Sequence, residues 1–361
     1  MIISKLFAEN FVYYNLHSEE VITSNFIEDN NNGIFCDRLQ SLTVERVIRD
    51  IKNVKNIAFD FKFIEGNQPN INKYFTNLKK EGFNVALLNI TEELIIEFGF
   101  DSIRNSTNVT KDILFFDKGT LKPRKKAGYK IFYLFEDSLN DFVPHKFNIN
   151  ELFNREFIKK LKRYSESHEK PHTSSYVYLE SYINLKKFIS EEKALCIYSI
   201  YKLALKILEE WREIGPIPFY GEGNFNDYKP PILVCQSLNS SYITSILSNL
   251  LKLDILILDK IGPVNRIYNS LDKHIVENRN YIVVSDLVCL GTEVKIVKNI
   301  IEFLGGNYLG NVTLIKTETL KKNDIKKIDA TIAIFSIDRT NNRELGYYIS
   351  TNLLPKKEVE E

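Results

Sequence analysis

Five apolar runs of strand length crowd the last third of the chain: PPILVCQ (230–236), LDILILD (253–259), NYIVVSD (280–286), NVTLIKT (311–317) and ATIAIFSID (330–338). Their apolar residues are continuous, without the alternation of a half-solvated strand, so both faces of the sheet they form must be covered. The covering helices are read from SYITSILSNLLK (241–252) and EVKIVKNIIEFLGG (293–306). Strands alternating with helices predict a parallel α/β sheet, and such a sheet binds ligands outside the carboxyl ends of its strands. Three segments lie there: QSLNSS (236–241), the long stretch KIGPVNRIYNSLDKHIVENRN (260–280) and SDLVCLGTE (285–293).

The third segment follows a buried strand and opens a helix. Gly291 permits a tight turn, and the unpaired N–H groups of the first helical turn suit an anion. A sugar phosphate fits that description. Upstream, 153–164 and SEEKALCIYSIYKLALKILEEWR (190–212) read as helices, the second with Ser190 as its N-cap.

At 361 residues the chain exceeds one comfortable core. The expected division is an α/β domain over 1–110, an irregular connection over 111–150 and the parallel-sheet domain over 151–361. The 48 Lys and Arg against 47 Asp and Glu give a net charge of +1. No broad field therefore attracts nucleic acid or anionic lipid, and an anionic ligand must be held locally. The cluster LKPRKK (121–126) reads as a solvated turn. Cys36, Cys196, Cys235 and Cys289 lack metal-site or disulfide spacing. Reduced thiols and the absence of a leader-like or membrane-spanning run predict a cytoplasmic protein with no membrane contact.

In the first half, LTVERVIRDIKNV (42–54) reads as an amphipathic helix, NIAFDFKFI (56–64) as a strand, INKYFTNLKKEG (71–82) as a helix capped by Gly82, and NVALLNI (84–90) as a strand. A short helix opens at Thr91, followed by two glutamates. Over roughly residues 30 to 105 this order resembles the STAS domain of anti-sigma-factor antagonists and transporter tails. The resemblance implies a module that contacts a protein partner. The family's switch serine has no counterpart in the loop EGNQPN (65–70). A generic α/β module is the other reading.

Over about residues 150 to 340 the chain resembles the type I phosphoribosyltransferases, the orotate enzymes most of all. VVSDLVCLGTE (283–293) matches their PRPP loop, with Ser285 and Asp286 at the paired acids, Cys289 and Leu290 at two threonines, Gly291 at the glycine, Thr292 at a free position and Glu293 at the final hydroxyl residue. HTSSYVYLESYINLKKF (172–188) is similar to the segment lining the base. The resemblance implies that Ser237, Asn239, Ser240 and Ser241 form the pyrophosphate loop, that Lys260 contacts phosphates, and that Arg266, Lys273 or His274 neutralise the leaving group. It also implies PRPP or a nucleotide as ligand, Mg²⁺ carried on the pyrophosphate rather than by the protein alone, and a homodimer. Asp286 would stabilise the positive charge that develops on the sugar as a base nitrogen displaces pyrophosphate.

Three departures bear on activity. Ser285 removes one carboxylate acceptor. Leu290 cannot donate a hydrogen bond, and Glu293 sets a negative charge where a phosphate would lie. Like charges about 4 Å apart repel by ~1 kcal/mol even in water, and by more in a cleft. Glu293 either points to solvent as a first-turn acid or folds back into the anion position. Cys289 reads as a small buried filler rather than a nucleophile. Two functions remain open: phosphoribosyl transfer, or a catalytically silent sensor or interaction protein whose first domain meets a partner.

Overall fold

A computed structural model describes residues 4–7, 11–16, most of 38–100, 114–117, 120–123, 130–133, 149–166, 178–179, 182–214, 230–258 apart from 252, 275–317 apart from 290, 331–337 and 348–349. The chain divides into two compact units, Met1–Phe157 and Ile158–Glu361.

Unit 1 is built on a five-stranded sheet of β1 (Ser4–Phe7), β2 (Phe11–Asn15), β3 (Asn56–Asp60), β4 (Asn84–Ile90) and β5 (Lys130–Tyr133), in that spatial order. β2, β3 and β4 are parallel, while β1 and β5 join antiparallel at the two edges. The sequence reading found β3 and β4 of the parallel part and missed the hairpin of β1 and β2. Helices α1 (Ser41–Asp50) and α2 (Asn72–Lys80) cross from β2 to β3 and from β3 to β4; α3 (Glu92–Glu97) follows β4. Both crossovers step the same way along the sheet, so right-handed connections lay the helices on one face. There Val44, Phe75, Leu78 and Leu94 meet Val12, Tyr14, Ile57, Phe59, Val85 and Leu87 in a single core. Phe75 is its centre, edge-on to Phe59 at 5.2 Å and to Phe100 at 4.8 Å. Gly82 (φ 80°) ends α2 as expected, and the Phe83 N–H closes back on the Leu78 carbonyl at 3.1 Å.

After α4 (Ile149–Leu161), unit 2 carries α5 (Leu185–Glu191) and α6 (Lys193–Ile214). These two replace the single helix read from Ser190. Ser190 is not an N-cap: it sits in the last turn of α5 and donates to the carbonyls of Lys186 and Lys187 at 2.9 and 3.0 Å. The chain breaks at Glu192, whose carbonyl accepts the Cys196 N–H and starts α6.

The five apolar runs form the expected parallel sheet: β6 (Ile232–Cys235), β7 (Ile255–Ile257), β8 (Asn280–Val288), β9 (Asn307–Thr317) and β10 (Thr331–Ile337). The spatial order is β7-β6-β8-β9-β10, every pair parallel. The direction of travel along the sheet thus reverses between β6 and β8. The two crossovers, α7 (Leu238–Leu251) from β6 to β7 and α8 (Thr292–Phe303) from β8 to β9, must then cover opposite faces. Val297 and Ile301 of α8 pack on Val234, Tyr281 and Val283, whereas Cys235 approaches Ser241 of α7.

Candidate functional site at the strand switch point

Where a doubly wound sheet reverses direction, the loops after the two flanking strands part to opposite faces and leave a crevice between them. Here those strands are β6 and β8, which are hydrogen-bonded neighbours. QSLNSS and SDLVCLGTE therefore meet at one place.

Asn239 and Asp286 make the contact. Asn239 Nδ2 donates to Asp286 Oδ2 at 3.0 Å, and the Leu287 N–H donates to Oδ1 at 2.9 Å. Both side chains are partly buried. The bond also fixes the face: Asp286 points to the α7 side of the sheet. By strand alternation Ser285 points to the other side. Its hydroxyl donates to Asn311 Oδ1 at 3.4 Å, and Asn311 is 1% exposed with an unpaired Nδ2. The two positions of the motif's acid pair thus serve opposite faces. Asn311 lies 26 residues from Ser285, and no local pattern marks it.

The serines of the first loop build the start of α7. Ser237 Oγ accepts the Ser240 N–H at 3.1 Å, as an N-cap does, and also meets the Ser240 hydroxyl at 2.7 Å. Ser241 Oγ donates to the Ser237 carbonyl at 2.8 Å. Ser240 is buried, so its hydroxyl serves the helix and not an open cleft.

On the second loop, Gly291 adopts the left-handed conformation (φ 71°, ψ 14°) as the residue before α8, a conformation L side chains resist. Gly291 has no side chain to cap the helix, and no side-chain cap bond is made there among the described residues. Thr292 and Glu293 in that turn are exposed, and Cys289 is half-buried. Glu293 thus stands at the solvent-facing start of α8. Lys260, Arg266, Leu290, Lys273 and His274 lie outside the described residues, as do 172–177 and 180–181.

Further along the same face, α6 presents two half-buried lysines one turn apart. Lys206 Nζ donates to the Ala333 carbonyl of β10 at 2.8 Å. Burial, then the neighbouring Lys206 charge, push the Lys202 amine down to about 8. Sequence reading took this helix for its apolar stripe and passed over both. Burial pushes the Cys196 thiol up to about 12, which leaves it inert as a nucleophile. Burial first and Cys196 second hold the phenol pKa of Tyr242, one turn past Asn239, above its ordinary value.

Among the described residues no group of three or more His, Cys, Asp or Glu could hold a metal ion, and no helix is long and apolar enough to cross a membrane. Among the described residues of the two loops the carboxylates are Asp286 and Glu293.

No family model and no curated protein matches the chain. Among solved structures, it is similar to adenine phosphoribosyltransferase from Thermoanaerobacter pseudethanolicus (13% identity, 50% of this chain and 99% of that one, TM-score 0.35). It is also similar to the orotate phosphoribosyltransferases of Aeropyrum pernix (11%, 52% and 92%, TM-score 0.32) and Mycobacterium tuberculosis (14%, 51% and 96%, TM-score 0.33). The α/β assignment rests on the strand order and register above.

Proposed function

We propose that unit 2 is a phosphoribosyltransferase-like domain that binds a phosphorylated ribose, as PRPP or a nucleoside monophosphate, at the crevice between β6 and β8. The observation that carries the reading is the meeting of Asp286 and Asn239 at the switch point, beside a glycine-led helix start with no side-chain cap. In this reading the carboxylate of Asp286 accepts from the ribose hydroxyls and the first turn of α8 faces the 5′-phosphate. Lys260 and Arg266 neutralise pyrophosphate, with Mg²⁺ arriving on PRPP, and transfer of phosphoribosyl to a nitrogenous base is the reaction.

A second reading, a catalytically silent sensor whose first unit meets a protein partner, is favoured by one specific observation. Ser285 stands where the related motif has the first of two acids, and its hydroxyl is bonded to Asn311, so Asp286 is the one carboxylate of that pair.

Calorimetric titration with PRPP and Mg²⁺, for the wild type and for Glu293→Ser, separates the two. Binding by the wild type, with pyrophosphate release on adding a base, supports the transferase. Silence from the wild type with binding by the variant supports the sensor, and silence from both rejects a phosphoribose site.

A further inference from the structure

We propose that Asn239 is a positioning residue for Asp286: it holds the carboxylate in its ligand-facing orientation and does not itself bind pyrophosphate. The inference rests on the phosphoribose reading above and reassigns one of its residues. Asn239 is the second residue of α7, and the Ser237 cap, together with the Ser241 N–H bonded to the Ser237 carbonyl at 2.8 Å, fixes that helix start. Asp286 sits on a strand paired on both sides. The 3.0 Å bond therefore ties two rigid elements across the point where the sheet reverses. An amide nitrogen can only donate, so Asn239 occupies an acceptor site of the carboxylate. An ionised carboxylate has about four acceptor sites. Asn239 and the Leu287 N–H take one on each oxygen, which leaves the remaining lone pairs for hydroxyl donors such as a ribose diol.

Three measurements on the full chain test this. The first needs no ligand: in Asp286→Ala the side-chain amide protons of Asn239 move upfield in the NMR spectrum. An unmoved resonance overturns the proposal. The second is PRPP and Mg²⁺ titration. Asn239→Leu, which keeps the shape and removes the donor, weakens binding about tenfold, the usual effect of losing a hydrogen bond to a charged group. Added to Asp286→Leu, the same change costs nothing further, within about twofold. Two independent, additive losses overturn the proposal, because they would mean that Asn239 touches the ligand on its own account. The third is the exchange Asn239→Asp with Asp286→Asn, which restores a donor and an acceptor with their places swapped. We expect the melting temperature of the pair to return while PRPP binding does not. Binding restored by the exchange would assign a merely structural role and overturn the proposal. Should the wild type take no PRPP, the phosphoribose reading falls, while the amide resonance still decides whether Asn239 holds Asp286.

Discussion

Replacing Lys202 by Met should change the way stability depends on pH. The lysine ammonium is partly removed from water on α6 and stands one turn from Lys206, so burial first and like charge second lower it from the ordinary 10.5 to about 8. Below pH 8 the amine is charged in both folded and unfolded chains, and the fold bears the full cost of burying it. Between about 8 and 10.5 the unfolded chain binds a proton that the folded chain has released, so folding stability rises with pH across that window. The gap in affinity corresponds to roughly 3 kcal/mol in total, of which about 2 kcal/mol falls between pH 7 and 9.5. Met keeps the linear, apolar part of the side chain and carries no charge. Urea unfolding at pH 7 and 9.5 should therefore show Lys202→Met the more stable at pH 7, with the advantage shrinking by about 2 kcal/mol at pH 9.5. The buried Cys196 thiol works the other way, since its stabilising proton is lost only near 12 while the unfolded thiol titrates near 9, but it is common to both proteins and cancels in the difference. An advantage that is the same at both pH values would refute the reasoning, because it would show that the amine is fully solvated.

Three further outcomes are expected. At Gly306, an added Cβ would lie 2.8 Å from Tyr281 Cε2 and 3.0 Å from Ile301 Cγ2, both in a filled core, so Gly306→Ala should cost about 1–3 kcal/mol in urea unfolding. At Gly291 the space is open, the nearest atom being Val288 Cγ1 at 4.0 Å, and the positive φ alone opposes a side chain. Gly291→Ala should cost about 1–2 kcal/mol, and Gly291→Asn measurably less in the same assay. Phe75→Ala removes the ring that Phe59 and Phe100 both meet and should destabilise unit 1 by about 3–5 kcal/mol, seen as an earlier unfolding transition by circular dichroism.

The parallel sheet of unit 2 was legible because each of its strands is apolar on both faces, a property of local composition that survives without knowing any neighbour. The same holds for Gly82 and Gly291: each ends or begins a helix where the chain must turn with positive φ, and glycine is the residue that does so without strain. Asp286 and Asn239 could both be named from their loops, since the carboxyl ends of parallel strands are where ligands bind. Ser190 was misread because a serine before a helical pattern looks the same whether it opens one helix or closes another. Only the break at Glu192 distinguishes the two.

What the sequence by itself determined is thus the five strands of the unit 2 sheet, their parallel direction and the segments at their ends, all of which follow from periodicity and turn chemistry over a few residues. The tertiary structure alone decided the spatial order, with β7 outside β6 and β8 crossing back beside β6. From that order come the bond of Asn239 to Asp286, the turning of Ser285 to the opposite face, and the partnership of Ser285 with Asn311. These contacts join residues 26 to 47 positions apart, and which strand lies beside which depends on how whole faces pack. No local run of residues carries that information.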